Sequence, residues 1–178
     1  PKFALLRGEY ARGREQSSRP YHQELKRLMI YFGGVFDLGV TVKTLKVLSE
    51  VKRSDLMIDL VINSNVPNVA EIREEAYKNP NVVLHEDLSS LAPLMMTSDL
   101  AIGGGGSTTW ERCCLGLPSL LVGFSENQKP IIAELERRGL AIGLGDADKI
   151  SSLKIRRGLE FFQIKFKLSE VGAKCSEL

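Results

Sequence analysis

Four consecutive glycines, Gly103, Gly104, Gly105 and Gly106, run directly into Ser107, Thr108 and Thr109, with Glu111 two residues beyond. Glycines in such a run let a backbone approach a ligand closely and adopt positive φ without penalty. The pattern predicts that a helix opens near Thr108, where unpaired N–H groups and a partial positive charge favour phosphate. The three hydroxyls add donors at the same place. Glu111 then sits one turn into the helix, where its carboxylate can accept hydrogen bonds from both hydroxyls of a ribose. Thr108 and Glu111 also satisfy the S/T-x-x-E capping box, which competes for the same side chain. A capping box requires no run of four glycines, so phosphate with ribose is the preferred reading.

A second glycine pair, Gly33-Gly34, precedes Val35-Phe36-Asp37. Alone it is a tight turn; together with the first run it predicts two loops closing on one ligand. Asp37 is equally suited to cap the following helix or to touch that ligand. The histidines are His22, in a charged arm, and His85, at a strand end, where it is either a polar strand end or a contact to a nucleotide base. Two common phosphate motifs are excluded. The dinucleotide pattern G-x-G-x-x-G would need a third glycine where Thr108 or Thr109 stands, and the Walker pattern needs a lysine after the run.

These residues require elements to carry them. Short apolar runs at 28–32, 56–62, 82–84, 100–102, 119–122 and 141–144 predict strands. Between them, apolar spacings of three and four predict helices at about 38–51, 69–77, 88–97, 108–116 and 130–138, with irregular helix after Asp146. Alternation of buried strands with crossover helices predicts an α/β, doubly wound parallel sheet of Rossmann-like type, whose ligands bind at the carboxyl ends of the strands. Three parts are expected: an arm over 1–27, solvated and partly irregular; a nucleotide-binding domain over 28–157; and a helical tail over 158–178.

The 178 residues carry 24 basic and 22 acidic side chains, a balance that excludes a dedicated nucleic-acid surface. No apolar stretch reaches the roughly 20 residues of a membrane span, so no integral membrane segment is expected. Cys113, Cys114 and Cys175 include no CxxC pair, so neither a zinc site nor a disulfide framework is indicated, and reduced thiols in a cytoplasmic protein are expected. No cofactor or metal is expected. The chain opens on Pro1 beside the apolar Phe3-Ala4-Leu5-Leu6, as expected of a piece of something longer.

The stretch from Ile102 through the glycine run, Trp110-Glu111-Arg112-Cys113-Cys114, Leu115-Gly116-Leu117-Pro118 and Ser119 resembles the UDP-sugar hydrolases of the pseudaminic acid pathway. Those enzymes release UDP from a UDP-linked diacetamido-trideoxyhexose. Glu126-Asn127-Gln128, Ala4-Leu5-Leu6-Arg7 and Tyr31-Phe32-Gly33-Gly34 extend the resemblance, which runs from about residue 3 to 145; Val35-Phe36 departs from it, and Glu170 to Lys174 keeps only a trace of the usual ending. A looser form of the pattern occurs in the C-terminal half of GT-B glycosyltransferases. The resemblance implies a UDP or UDP-sugar partner, with Ser107 and Thr108 on the diphosphate and Glu111 on the ribose. Asn127 and Gln128 would lie towards the phosphate or sugar, and the loop after Leu84 near the uracil. It places the catalytic base in an N-terminal domain of the same protein, so this chain is expected to contain none.

Overall fold

The computed structural model describes residues 6–16, 24–34, 37–51, 53–164, 170–172 and 174. His22, Val35, Phe36 and Cys175 lie outside the described residues. Six strands, β1 (Arg27–Tyr31), β2 (Met57–Ile62), β3 (Val82–Glu86), β4 (Leu100–Gly104), β5 (Ser119–Gly123) and β6 (Ala141–Asp146), form one sheet in the order β3-β2-β1-β4-β5-β6, every pairing parallel. This is the Rossmann-like doubly wound α/β architecture expected of the alternating pattern.

Alternation along the strands divides the side chains between two layers. Leu28, Ile30, Ile58, Leu60, Leu100 and Ile102 join a core with α2 (Val40–Glu50), α3 (Val69–Tyr77) and α7 (Ser152–Ile164). Met29, Val61 and Ala101 point the other way, onto α1 (Gly8–Gln16) and α4 (Ala92–Thr97). Beyond them stand α5 (Thr108–Cys114) and α6 (Lys129–Arg137), the latter preceded by one 3-10 turn at Glu126–Gln128. Because all strands run one way, their carboxyl ends share one edge.

Three expectations change. The charged arm is not irregular over Gly8–Gln16: it forms α1, and Tyr10 is only 2% exposed. Interleaved charges mask this in sequence, but Tyr10 and Gly13 form a buried face of α1. A Cβ on Gly13 would stand 2.9 Å from Met96 Sδ and 3.0 Å from Leu115 Cδ2, so glycine there allows the helix to dock tightly. The helix expected over 88–97 begins only at Ala92. Pro93 is tolerated in a first turn and not deeper, and Ser90 Oγ accepts the Ala92 N–H at 3.1 Å, so residues 88–91 remain a loop. Finally, α7 runs continuously through residues 157 and 158, packing Ile155, Leu159 and Phe162 into the core.

Candidate functional site

The strand order reverses between β1 and β4, and the loops leaving those two strands are the two glycine segments. A sheet of this kind opens a crevice at that reversal. None of Gly103 to Gly106 has positive φ, contrary to the expectation; in the loop after β1 that conformation occurs at Gly33, at φ 110°, and again at Leu38 and Gly39. At Gly103 and Gly105 the residue is glycine for lack of space, whereas a Cβ on Gly106 would meet only ordinary contact. A Cβ on Gly103 would stand 2.4 Å from Arg112 Nη1 and 2.7 Å from the Tyr31 carbonyl oxygen. One on Gly105 would stand 2.7 Å from Ile132 Cδ1 of α6. Strand β4 and its loop are thereby pressed between β1, α5 and α6. Among the described residues, the N–H groups of Gly106, Ser107 and Thr108 donate to no carbonyl, while Gly105 N–H is taken by Val122 O at 3.0 Å.

The helix start removes the capping-box side of the competition at Glu111. The residue at the N-cap of α5 is Ser107, not Thr108, and it makes no side-chain capping bond. Thr108 is the first helical residue, so Glu111 lies one position too far along for a capping box. Its half-buried carboxylate instead opens on a cleft of about 180 Å³ at the carboxyl edge, walled by Tyr31, Asn63, the loop from Asp87 to Leu91, Thr108, and Arg7 and Tyr10 of the arm. The Tyr10 hydroxyl donates to Glu111; burial first, and then the Glu111 charge, push that phenol up. Burial and the same carboxylate raise Tyr31.

Tyr10 and Asn63 carry no motif in the sequence, while Tyr31 enters only through the resemblance and Asp87 only as part of the loop after Leu84. Tyr10 is separated from Glu111 by a hundred residues of chain and has no local motif. Asp87 left a weak signal as an aspartate just past a strand: it adopts φ 51°, its N–H bonds Ile62 O at 3.1 Å and its carboxylate accepts Ser64 N–H at 2.9 Å. Those bonds pin the third-strand loop to the second. Arg7, noted only as part of a resemblance, donates to Ser89 O at 2.8 Å, and Ser90 Oγ donates to Glu9 at 2.9 Å. The arm thus closes one wall of the cleft.

The other expected residues divide. Gly34 lies against Asn63, with Nδ2 3.4 Å from the position of a Cβ, which joins the two loops at the cleft. Gln128 stands beside the glycine run, its Nε2 3.5 Å from the Cβ position of Gly106, while its Oε1 accepts Phe124 N–H at 3.0 Å. Asn127 is exposed and hydrogen-bonds Ser125 Oγ at 2.5 Å. Asp37 stands two residues before Gly39, the N-cap of α2, and serves its first turn: 5% exposed, it accepts Thr41 N–H at 3.0 Å, the Thr41 hydroxyl, and Asn68 Nδ2 at 2.8 Å. His85 does not line the cleft. Its Nε2 is 2.8 Å from Oδ1 of Asp59, a 1%-exposed carboxylate that also receives Arg27 Nε at 2.6 Å. A second cavity, about 470 Å³, lies between β6, α6 and α7 and is lined mainly by apolar side chains such as Ile142, Leu144, Phe161 and Phe162. No group of metal-binding side chains occurs among the described residues, and no helix among them is long and apolar enough to cross a membrane.

No family model matches the chain. It is 29% identical over 133 residues to the uncharacterized protein MJ1062 of Methanocaldococcus jannaschii, covering 72% of this chain and 27% of that one. It is 25% identical over 146 residues to the spore coat polysaccharide biosynthesis protein SpsG of Bacillus subtilis, covering 82% and 42%. The chain therefore spans less than half the length of either relative. Among solved structures it superposes on MurG of Acinetobacter baumannii with a TM-score of 0.71 at 14% identity, covering 94% of this chain and 48% of MurG. The glycosyltransferase VinC, in complex with dTDP, follows at 0.63 and 18%, with 98% and 40% covered. At these identities the likeness is one of fold: the chain has the Rossmann-like α/β fold of about one half of a GT-B glycosyltransferase.

Proposed function

We propose that this chain is the UDP-binding half of an enzyme that releases UDP from a nucleotide-activated diacetamido-trideoxyhexose, with water as the acceptor, in the making of a nonulosonic acid or a related surface polysaccharide. The observation that carries nucleotide binding is Glu111. Its carboxylate is freed from helix capping and opens on the switch-point cleft, one turn from three N–H groups that donate to no carbonyl among the described residues. In this reading the ribose hydroxyls donate to Glu111. The diphosphate lies over Gly106, Ser107 and Thr108, with Gln128 beside it, and the base enters between Arg7, Tyr10 and the loop 87–91. As the bond to the sugar breaks, the diphosphate gains negative charge, so fixed donors aimed at it favour the transition state over the ground state. The base that activates water is assigned to a further domain of the intact protein.

Release of UDP to water is supported by the glycine-run motif. Transfer of the sugar to another hydroxyl is the second reading, favoured by the fold likeness to VinC. The two share the UDP site and differ in the acceptor.

The test is thermal unfolding of the 178-residue chain with UDP, CMP, ADP and NAD in parallel. A ligand at a hundredfold excess over its Kd adds about 2.7 kcal/mol of stability. UDP is expected to raise Tm and NAD to leave it unchanged, with no sugar release by this chain alone. A response to NAD without one to UDP overturns the reading, and hydrolysis by the isolated chain overturns the placement of the base.

A further inference from the structure

The least expected side chain near the site is Arg112. It is 1% exposed and the largest fully buried side chain of the core. Its Nη2 donates to Gly104 O at 2.7 Å and to Thr109 Oγ1 at 3.1 Å, and its Nη1 reaches Thr108 Oγ1 at 3.4 Å. Its Nε has no partner among the described residues, and the ion pairs found among them do not include it. Gly103 has no room for a Cβ largely because this guanidinium occupies the space. Burial pushes Arg112 down to about 10, which leaves it charged at neutral pH. A charge removed from water is costly unless it is paired and hydrogen-bonded, and here the guanidinium feels the Glu111 charge without forming an ion pair with it.

On the nucleotide reading given above, we propose that Arg112 is a positioning residue for the diphosphate: it clears acceptors from the ligand face of the glycine loop, and the bound diphosphate brings opposite charge to a guanidinium that makes no ion pair among the described residues. The chemistry follows from which groups it occupies. Gly104 O, at the end of β4, would repel a phosphate oxygen if it turned towards the ligand; the guanidinium holds it inward. Thr108 Oγ1 accepts from Arg112, so the hydroxyl hydrogen is left to donate to an anion. A planar fork of donors can hold a carbonyl and two hydroxyls at once, whereas an ammonium cannot do so in one plane. Arg112 does not touch the ligand; it acts through Gly104, Thr108 and the charge itself.

The test compares UDP, inorganic pyrophosphate and uridine by calorimetry on wild type, Arg112→Met and Arg112→Lys, with the ligand-free Tm of each. Arg112→Met is expected to weaken UDP and pyrophosphate at least tenfold while changing uridine by less than twofold. Arg112→Lys, which keeps charge without the fork, is expected to lose at least threefold on pyrophosphate. Thr108→Val is expected to cost less in the Arg112→Met background than in wild type, because the two act as one unit. A purely structural role lowers Tm and leaves the ratio of UDP to uridine affinity unchanged, which overturns the inference. If Arg112→Met does not fold, Arg112→Lys carries the same comparison with the same refuting outcome. Wild type that binds neither UDP nor pyrophosphate overturns the nucleotide reading and this inference together. Wild type that binds UDP with an unaltered ratio in the variants overturns this inference alone.

Discussion

Replacing Glu111 separates ligand binding from helix capping, because the structure gives the two roles different signatures. The capping residue of α5 is Ser107, without a side-chain bond, so loss of the Glu111 carboxylate removes no cap and forgoes the roughly 1 kcal/mol that cap removal costs. What it does remove is the acceptor for the Tyr10 hydroxyl and, with UDP bound, for the two ribose hydroxyls. Hydrogen bonds to a charged group contribute about 1.5–3 kcal/mol each. Two of them at the lower bound give about 3 kcal/mol, a weakening of UDP binding on the order of a hundredfold. Glu111→Gln keeps one oxygen for Tyr10 and converts the other into a donor, so stability is expected to stay within about 1 kcal/mol of wild type, as for most partly exposed substitutions. The assay is isothermal titration with UDP and with its dideoxyribose analogue, alongside urea unfolding. The analogue is expected to bind wild type as weakly as UDP binds the variant. A variant that loses several kcal/mol of stability, about 2 or more by the usual range for a broken buried contact, yet binds UDP within threefold of wild type refutes the argument and makes Glu111 a helix residue.

Three further perturbations probe how the site is held. Gly105→Ala drives a methyl to 2.7 Å from Ile132 Cδ1 and is expected to cost about 1–3 kcal/mol by urea unfolding, part of it recovered in combination with Ile132→Val. Asp37→Ala leaves Asn68 and the start of α2 without their acceptor and is expected to destabilise by about 1–3 kcal/mol, with UDP affinity of the folded fraction unchanged by calorimetry. At Asp59 burial opposes ionisation, but hydrogen bonds from Arg27 and His85 outweigh it and hold the carboxyl below its ordinary value of 3.8. A depressed folded value means its stabilisation is present above pH 3.8 and lost as the pH falls below it towards the folded value. Chemical denaturation at several pH values is expected to show a shallower acid limb for Asp59→Asn, and a limb of unchanged slope refutes the assignment.

Much of this was written locally. The six apolar runs became the six strands, most plainly at β4 and β5, which are buried throughout and so have few alternatives to continuous apolar sequence; the edge strand β3 is part-exposed. The glycine run and the helix opening at Thr108 were legible for the same reason: both are properties of contiguous residues. The start of α4 was displaced because the sequence pattern does not weigh a proline against a serine cap three residues earlier, whereas the folded chain must satisfy both.

What the sequence determined by itself, then, is the six strands, most of the helices, the sheet's parallel sense, and the place of the glycine run between a strand and a helix. What only tertiary structure decided is who stands around that loop. Gly103 is dictated by Arg112 and the Tyr31 carbonyl, and Gly105 by Ile132, packing against them rather than by backbone conformation. The fates of Asp37 and His85 depended on Thr41, Asn68 and Asp59, which complete their hydrogen bonding away from the cleft. Tyr10 reached Glu111 only because α1 folds back onto α4 and α5. The contacts of Ile132 with Gly105, Asn68 with Asp37, Asp59 with His85 and Tyr10 with Glu111 join residues distant in the chain, and side-chain pattern within a segment carries no record of which distant group will fill the space beside it.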